Sequence, residues 1–298
     1  MTKKEAQNIA YEFSRNTNPT EDEIFLFTEA MKYLIEEDKS PKDMVYLGGF
    51  YYEIKKFDLA LKYYEMAATY DYPVAYECLG YIWYYGRTGE KDYKKAFEYF
   101  TKASEKGNIV AKYKLADMYK NGYYVEKNQA KYEEIVNELY EYLKDYANDE
   151  SLYPHLPIPE IYTRLARIKK DAKQFEEATK LYLEAKANLA ERIRHNAFFG
   201  NLNIMMWLID DLYEITDFDN DNFDFFDMYY LLKTPHKIKF MYENKEYFIE
   251  SVMEGNECAV KFNDKWFHNR SDFFSNATIS EEKLNHIFYD LFGFEVIE

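Results

Sequence analysis

Residues 75–86 read AYECLGYIWYYG, and residues 92–111 read DYKKAFEYFTKASEKGNIVA. Leu79, Gly80 and Trp83 lie at i, i+1 and i+4, so they share one face of a helix. Ala96, Phe100 and Ala103 lie at i, i+4 and i+7, which gives a second helix a small-large-small stripe. The glycine beside Leu79 lets that second helix approach closely. The spacing predicts a helical hairpin, and the same spacing recurs on both sides of it. Leu47, Gly48 and Tyr51 precede Ala60, Tyr64 and Ala67; Leu115-Ala116 opens a third block; Leu165 and Ala166 precede Ala178, Tyr182 and Ala185. Ala60 and Ala96, Ala67 and Ala103, Ala75 and Ala111, Leu79 and Leu115, and Gly86 and Gly122 are each 36 positions apart. One hairpin cannot bury its apolar face alone, so its neighbours must stack on it as a solenoid.

At these residues the chain resembles the tetratricopeptide (TPR) superfamily. Residues 75–122 resemble its Sel-one-like repeat (SLR) subclass through Ala75, Leu79, Gly80, Tyr84 and Gly86, then Asp92, Lys95, Ala96, Phe100, Lys102, Ala103, Gly107 and Ala111. The likeness covers about 41–125 and is weaker over 160–190. The third block departs from it, because Tyr132 and Ile135 follow Gly122 where small residues are expected. Its returning helix, roughly 129–147, is therefore expected to be longer or tilted.

The punctuation agrees with this reading. Pro41 and Pro73 precede helix starts, and Gly86, Gly107 and Gly122 fall at helix ends. Thr20 and Glu23 form a capping-box signature before the apolar run from Ile24 to Ile35. Pro154, Pro157 and Pro159 mark a linker. After Pro235 the period changes to two: Ile238, Phe240 and Tyr242, then Tyr247 and Ile249, then Cys258, Val260 and Phe262 alternate with polar residues around short turns. Thr278 to Leu291 returns to helical spacing, with Leu284, Ile287, Phe288 and Leu291 on one face, Gly293 as its C-cap and Phe294 to Ile297 as a last strand. The expected fold is mainly α: a helical-hairpin solenoid followed by a small α+β domain, an antiparallel meander plus one helix. The expected division is 1–153 for the N-terminal repeats, 154–159 for the linker, 160–234 for further hairpins with an acidic segment, and 235–298 for the α+β domain.

Composition narrows the function. The 298 residues carry 38 Lys+Arg against 54 Asp+Glu, a net charge of −16, which disfavours nucleic acid and anionic membranes as partners. Nothing approaches the ~20 apolar residues of a membrane span, and the first residues lead into no apolar signal core, so a cytoplasmic protein is expected. Cys78 and Cys258, 180 positions apart, form no metal-binding pair and read as buried thiols. The five histidines form no ligand motif, and no nucleophile or phosphate-loop motif occurs. Cys258 and His268 make a conceivable but unspecific nucleophile pair. Asp217, Asp219 and Asp221 imitate the opening of a calcium loop, but the twelfth position is Met228 instead of the bidentate Glu. No catalytic residue, metal or cofactor is expected.

Two features point to partners. From His195 to Leu232 there is no Lys or Arg, while eight acids occur, including Asp217, Asp219 and Asp221; this is a possible secondary acidic surface for a basic partner. The resemblance also implies that the first helix of each hairpin lines a groove. The positions facing it would be Lys42, Val45, Gly49, Tyr52 and Glu53; Val74, Glu77, Tyr81, Tyr84 and Tyr85; and Val110, Tyr113, Asp117, Lys120 and Asn121. Tyr52, Glu53, Glu77, Tyr81, Tyr84, Tyr113 and Asp117 are the candidate contacts. They suit a protein or peptide with basic and apolar anchors. The expected function is a non-enzymatic interaction scaffold or adaptor. Its rivals are an immunity-type or regulatory inhibitor of a basic protein, and an enzyme with its activity in 235–298. Replacing Tyr81 and Tyr84 together by Ala is expected to abolish partner capture with little change in melting temperature.

Overall fold

The computed structural model describes residues 1–16, 19–146, 156–195 and 199–297, and it divides into two compact units, Met1–Ile135 and Val136–Glu298. Among the described residues of the first unit, helices follow one another: α1 (Lys3–Arg15), α2 (Glu21–Asp38), α3 (Pro41–Glu53), α4 (Phe57–Ala68), α5 (Pro73–Tyr85), α6 (Tyr93–Glu105), α7 (Ile109–Asn121) and the start of α8 (Gln129–Leu143). Pro41 and Pro73 open α3 and α5, where their missing N–H costs nothing. Thr20 and Glu23 form the reciprocal cap of α2: Thr20 N–H donates to Glu23 Oε2 at 2.7 Å, and Glu23 N–H donates to Thr20 Oγ1 at 3.3 Å.

The stripes pack as their spacing predicts. Leu47, Ala60, Ala67, Leu79, Ala96, Phe100 and Ala103 are fully buried. Gly48 faces the Tyr64 ring and Gly80 the Phe100 ring so closely that a Cβ would stand 2.6 Å and 2.4 Å from ring carbons. The 36-residue register appears in the hydrogen bonds as well. Asp92 N–H donates to Trp83 O and Arg87 N–H to Ile82 O (3.0 Å each); 36 positions on, Asn128 N–H donates to Tyr119 O at 2.8 Å and Tyr123 N–H to Met118 O at 3.0 Å. Gly86 and Gly122 close both helices in the left-handed region, φ 63° and 70°. Helix α8 runs to Leu143 and continues as a 3-10 turn over Lys144–Tyr146, the lengthening expected of the third returning helix.

The second unit holds a further hairpin, α9 (Ile158–Asp171) and α10 (Phe175–His195), then α11 (Phe199–Leu212) and a single turn, α12 (Met228–Leu231). Its connection repeats that of the first block. Lys55 and Lys173, each eight residues after the block's leucine, are both left-handed (φ 60° and 61°). The next residues close the same bond, Lys56 N–H to Tyr51 O and Gln174 N–H to Lys169 O, at 2.8 and 2.9 Å. Ile158 and Pro159 form the first turn of α9, while Pro154 lies outside the described residues.

The sheet follows: β1 (Lys237–Tyr242), β2 (Lys245–Glu254), β3 (Glu257–Phe262), β4 (Lys265–Phe267), then α13 (Arg270–Asn276), the short strands β5 (Thr278–Ile279) and β6 (Glu282–Lys283), α14 (Leu284–Ile287) and β7 (Phe292–Ile297). The order β4-β3-β2-β1-β7 is antiparallel throughout, with the last strand returning beside β1. The continuous helix expected over Thr278 to Leu291 is absent. A tight hairpin stands there, with Ser280 and Glu281 left-handed (φ 50° and 74°), then one helical turn and a 3-10 turn over Phe288–Asp290. Leu284, Ile287 and Leu291 are buried by either arrangement, so the apolar spacing does not separate them. Buried Asn285 decides for the short turn, donating to the Phe274 carbonyl at 2.8 Å. Gly293 sits in β7 where its pairing with β1 slips, at φ 65°, and is not a helix cap. No helix among the described residues is long and apolar enough to cross a membrane.

Candidate functional site

The first helices of the repeats stand side by side, α3 next to α5 and α5 next to α7. Their shared face carries the candidate contacts in two layers. On the open layer, Glu53 ends α3 and is exposed, Tyr85 ends α5 at 41 % exposure, and a Cβ built on Gly49 would meet nothing within 4 Å.

Beneath it lies an aromatic layer. Tyr81 meets Phe100 edge-on at 5.6 Å, stacks on Tyr85 at 6.0 Å, and places its hydroxyl 3.2 Å from that of Tyr113. Tyr84 sits edge-on to Tyr85, Tyr93 and Tyr123 at 5.0, 5.6 and 5.9 Å. Burial pushes the phenols of Tyr81 and Tyr84 well above the ordinary tyrosine range. Tyr113 is only 5 % exposed, so it supports Tyr81 from below. Because Tyr81 is packed in this way, its truncation opens a hole beside Phe100. The expectation that Tyr81→Ala with Tyr84→Ala leaves the melting temperature nearly unchanged is therefore revised: that variant is expected to lose stability.

The charges of the aromatic, mildly acidic face expected from the sequence are partly engaged within the chain. Glu77 accepts a hydrogen bond from Asn108 Nδ2 at 2.7 Å, and burial raises its pKa although Asn108 and Lys114 pull it down. Asp117 lies 3.8 Å from Lys114 Nζ. The Lys114 ammonium in turn stands 5.1 Å from the Tyr113 ring centre and 5.3 Å from that of Tyr81. Tyr52 accepts from Arg87 Nε at 2.7 Å. Two of the chain's own cations thus occupy aromatic faces that the sequence assigned to a partner. Neither follows a helical stripe: Arg87 lies just past the end of α5, and Lys114 directly follows Tyr113 in α7, about 100° further around that helix.

The raised pKa of Glu77 has a measurable sign. A carboxyl that binds its proton more tightly folded than unfolded makes the fold more stable at low pH, and that increment is lost as pH rises from about 4 through the folded pKa. Glu77→Gln removes the buried charge and keeps an oxygen to accept from Asn108. It is expected to raise the melting temperature at pH 7, with the difference from the parent shrinking toward pH 4. Melting curves at the two pH values check this, and an equal effect at both would contradict it.

The acidic segment is largely neutralised from within the second unit. Arg270 holds Asp210 through both carboxylate oxygens at 2.8 Å, and Arg167 and Lys170 hold Asp211. Lys170 also reaches Glu214 at 2.8 Å, and Lys186 reaches Asp224 and Asp227 at 2.8 and 2.7 Å. Among the described residues, no ion pair reaches the exposed Asp217, Asp219 or Asp221. In the sheet domain, the Cys258 thiol donates to the Lys233 carbonyl at 3.4 Å, and burial raises its pKa. Both changes run against those that activate a nucleophilic cysteine. Cys78 is likewise a free thiol.

Three segments match the Sel1 repeat, residues 44–69, 74–108 and 109–131. The chain is similar to the crystal structure of a Sel1 repeat protein from Oxalobacter formigenes (22% identity over 61% of this chain and 67% of that one, TM-score 0.44). It is also similar to c5321, a protective antigen of uropathogenic Escherichia coli strains displaying an SLR fold (19% identity, 64% of this chain and 50% of that one, TM-score 0.38). A third similar structure is YrrB, a TPR protein with an unusual peptide-binding site (16% identity, 63% of this chain and 93% of that one, TM-score 0.35). No protein of curated function matches the chain. Repeats of this kind generally mediate protein–protein interaction.

Proposed function

We propose that this is a non-enzymatic cytoplasmic scaffold that holds a protein or peptide segment against the face of α3, α5 and α7. The observation that supports this reading most directly is the open layer itself: Gly49 uncovered, with Glu53 and Tyr85 exposed above a packed aromatic floor. An apolar side chain of the segment lies against the ring edges of Tyr84 and Tyr85, and a basic one pairs with Glu53. Glu77, Tyr81, Tyr113 and Asp117 form the floor, and Tyr52 borders it. Flat, rigid rings over a fixed base favour docking because little conformational freedom is lost on binding. Asp217, Asp219 and Asp221 form a secondary acidic surface that steers basic partners, an effect that added salt screens.

Obstruction tests this without touching the floor. Gly49→Trp places a bulky side chain in open space on the face, and Glu53→Lys reverses the exposed charge. Proteins captured by the full chain from its native host are quantified against both variants. The expected result is a discrete set reduced about tenfold or more by each variant, with melting temperatures unchanged or slightly raised. Capture that both variants leave intact would remove this face as the binding site.

A further inference from the structure

Arg87 follows the left-handed cap Gly86, and its guanidinium stands among three rings. It is 5.0 Å from the centre of Tyr85 and 5.4 Å from those of Tyr52 and Phe57. Its Nε–H is spent on the Tyr52 hydroxyl at 2.7 Å. Although the chain has 54 carboxylate side chains, none of those described pairs with Arg87. Arg167, Arg192, Arg194 and Arg270 each pair with one. The turn does not require a cation either. Its equivalent 36 positions on is Tyr123, which closes the same backbone bond and stacks on Tyr93 at 4.4 Å.

The cage fixes the guanidinium plane in advance, so little side-chain entropy remains to be lost when the Nη fork is engaged. That fork matches the two oxygens of a carboxylate. The Tyr52 hydroxyl, having accepted from Nε, still has its own proton to donate. One positive charge balances one carboxylate, whereas a phosphate dianion would meet an uncompensated charge in a chain of net −16. Arg87 lies in the loop that joins α5 to α6, with the α3–α4 hairpin before it in the chain and α7 after it. A segment lying along the face passes this point with chain on both sides, so a side chain and not a chain end is offered to it.

We propose that Arg87 and Tyr52 bind the side-chain carboxylate of an Asp or Glu in the docked segment, an inference that rests on the reading of this face as a peptide-binding surface. The test is a nitrogen-15 NMR titration of the full chain with N-acetylglutamate α-amide, which offers only a side-chain carboxylate. The Arg87 Nε–H and the Gly86 amide are expected to shift saturably, while the Nε–H of the exposed Arg15 does not. Arg87→Lys, Arg87→Gln and Tyr52→Phe, followed at the Gly86 amide in variants whose remaining spectrum is unchanged, are expected to bind about tenfold more weakly or less. The proposal fails if the shifts do not saturate, if Arg15 moves equally, or if Arg87→Lys binds as the parent does. Tighter binding of N-acetylglycine would assign the site to a chain end, and tighter binding of inorganic phosphate to a dianion; either overturns it. The two readings separate cleanly. Capture blocked by Gly49→Trp with a silent Arg87 removes only the carboxylate site, and a responsive Arg87 with capture untouched by Gly49→Trp removes the peptide face.

Discussion

Gly80→Ala is expected to destabilise the chain by about 2 kcal/mol, whereas Gly49→Ala is expected to stabilise it by about 0.5–1 kcal/mol. The chemical change is identical, both positions are inside helices, and neither glycine has a positive φ. Helix propensity favours Ala at both. The difference is the second helix. At Gly80 the new methyl would stand 2.4 and 2.5 Å from Cε1 and Cδ1 of Phe100, a side chain with no exposed surface. Phe100 cannot retreat, because Tyr81 and Tyr84 stand edge-on against it at 5.6 and 6.2 Å. Overpacking therefore outweighs propensity, and the sign reverses. Gly48 repeats the arrangement against Tyr64. Urea unfolding of both variants gives the two signs. Adding Phe100→Leu to Gly80→Ala should recover part of the loss, so that the pair costs less than the sum of its parts. Were Gly80→Ala as stabilising as Gly49→Ala, the close approach of α5 and α6 would be wrong.

This contrast also explains what could be read before the structure. A hairpin stripe is a local regularity: Leu79, Gly80, Ala96 and Phe100 are within 22 residues, and one period relates them all. The layering of the candidate face is not local. Whether Tyr113 is a contact or a support depends on where the Tyr81 hydroxyl, 32 positions away, comes to rest. The acidic segment was legible as a run of like charge, yet its balance comes from afar. Arg167 reaches Asp211 across 44 positions and Arg270 reaches Asp210 across 60. Composition counts those cations without placing them. Thr278 to Leu291 shows a third limit, since two different folds bury the same leucines and isoleucine. There a single buried amide, Asn285, separates the alternatives.

Arg192→Leu is expected to cost about 3–5 kcal/mol, because it strands a carboxylate in the second unit's interior. Arg192 and Glu160 are each 9 % exposed. The guanidinium donates to both Glu160 oxygens, at 2.7 and 3.1 Å, and its Nη2 also donates to the Leu156 carbonyl at 2.8 Å. The surface pair Arg194–Glu191, at 3.6 Å with side chains 51% and 40% exposed, is the internal control. Glu191→Ala should change stability by less than about 1 kcal/mol, since water already solvates both charges. Distance alone would not predict this gap between two arginine–glutamate pairs, but burial does. The double change Glu160→Leu with Arg192→Leu removes both charges and should recover much of the loss, less what Leu156 forfeits when its carbonyl has no donor. A double-mutant cycle by urea unfolding measures the coupling. If Arg192→Leu cost no more than Glu191→Ala, the pair would have to be solvated in the folded protein, and α9 could not pack closely against α10 as it does.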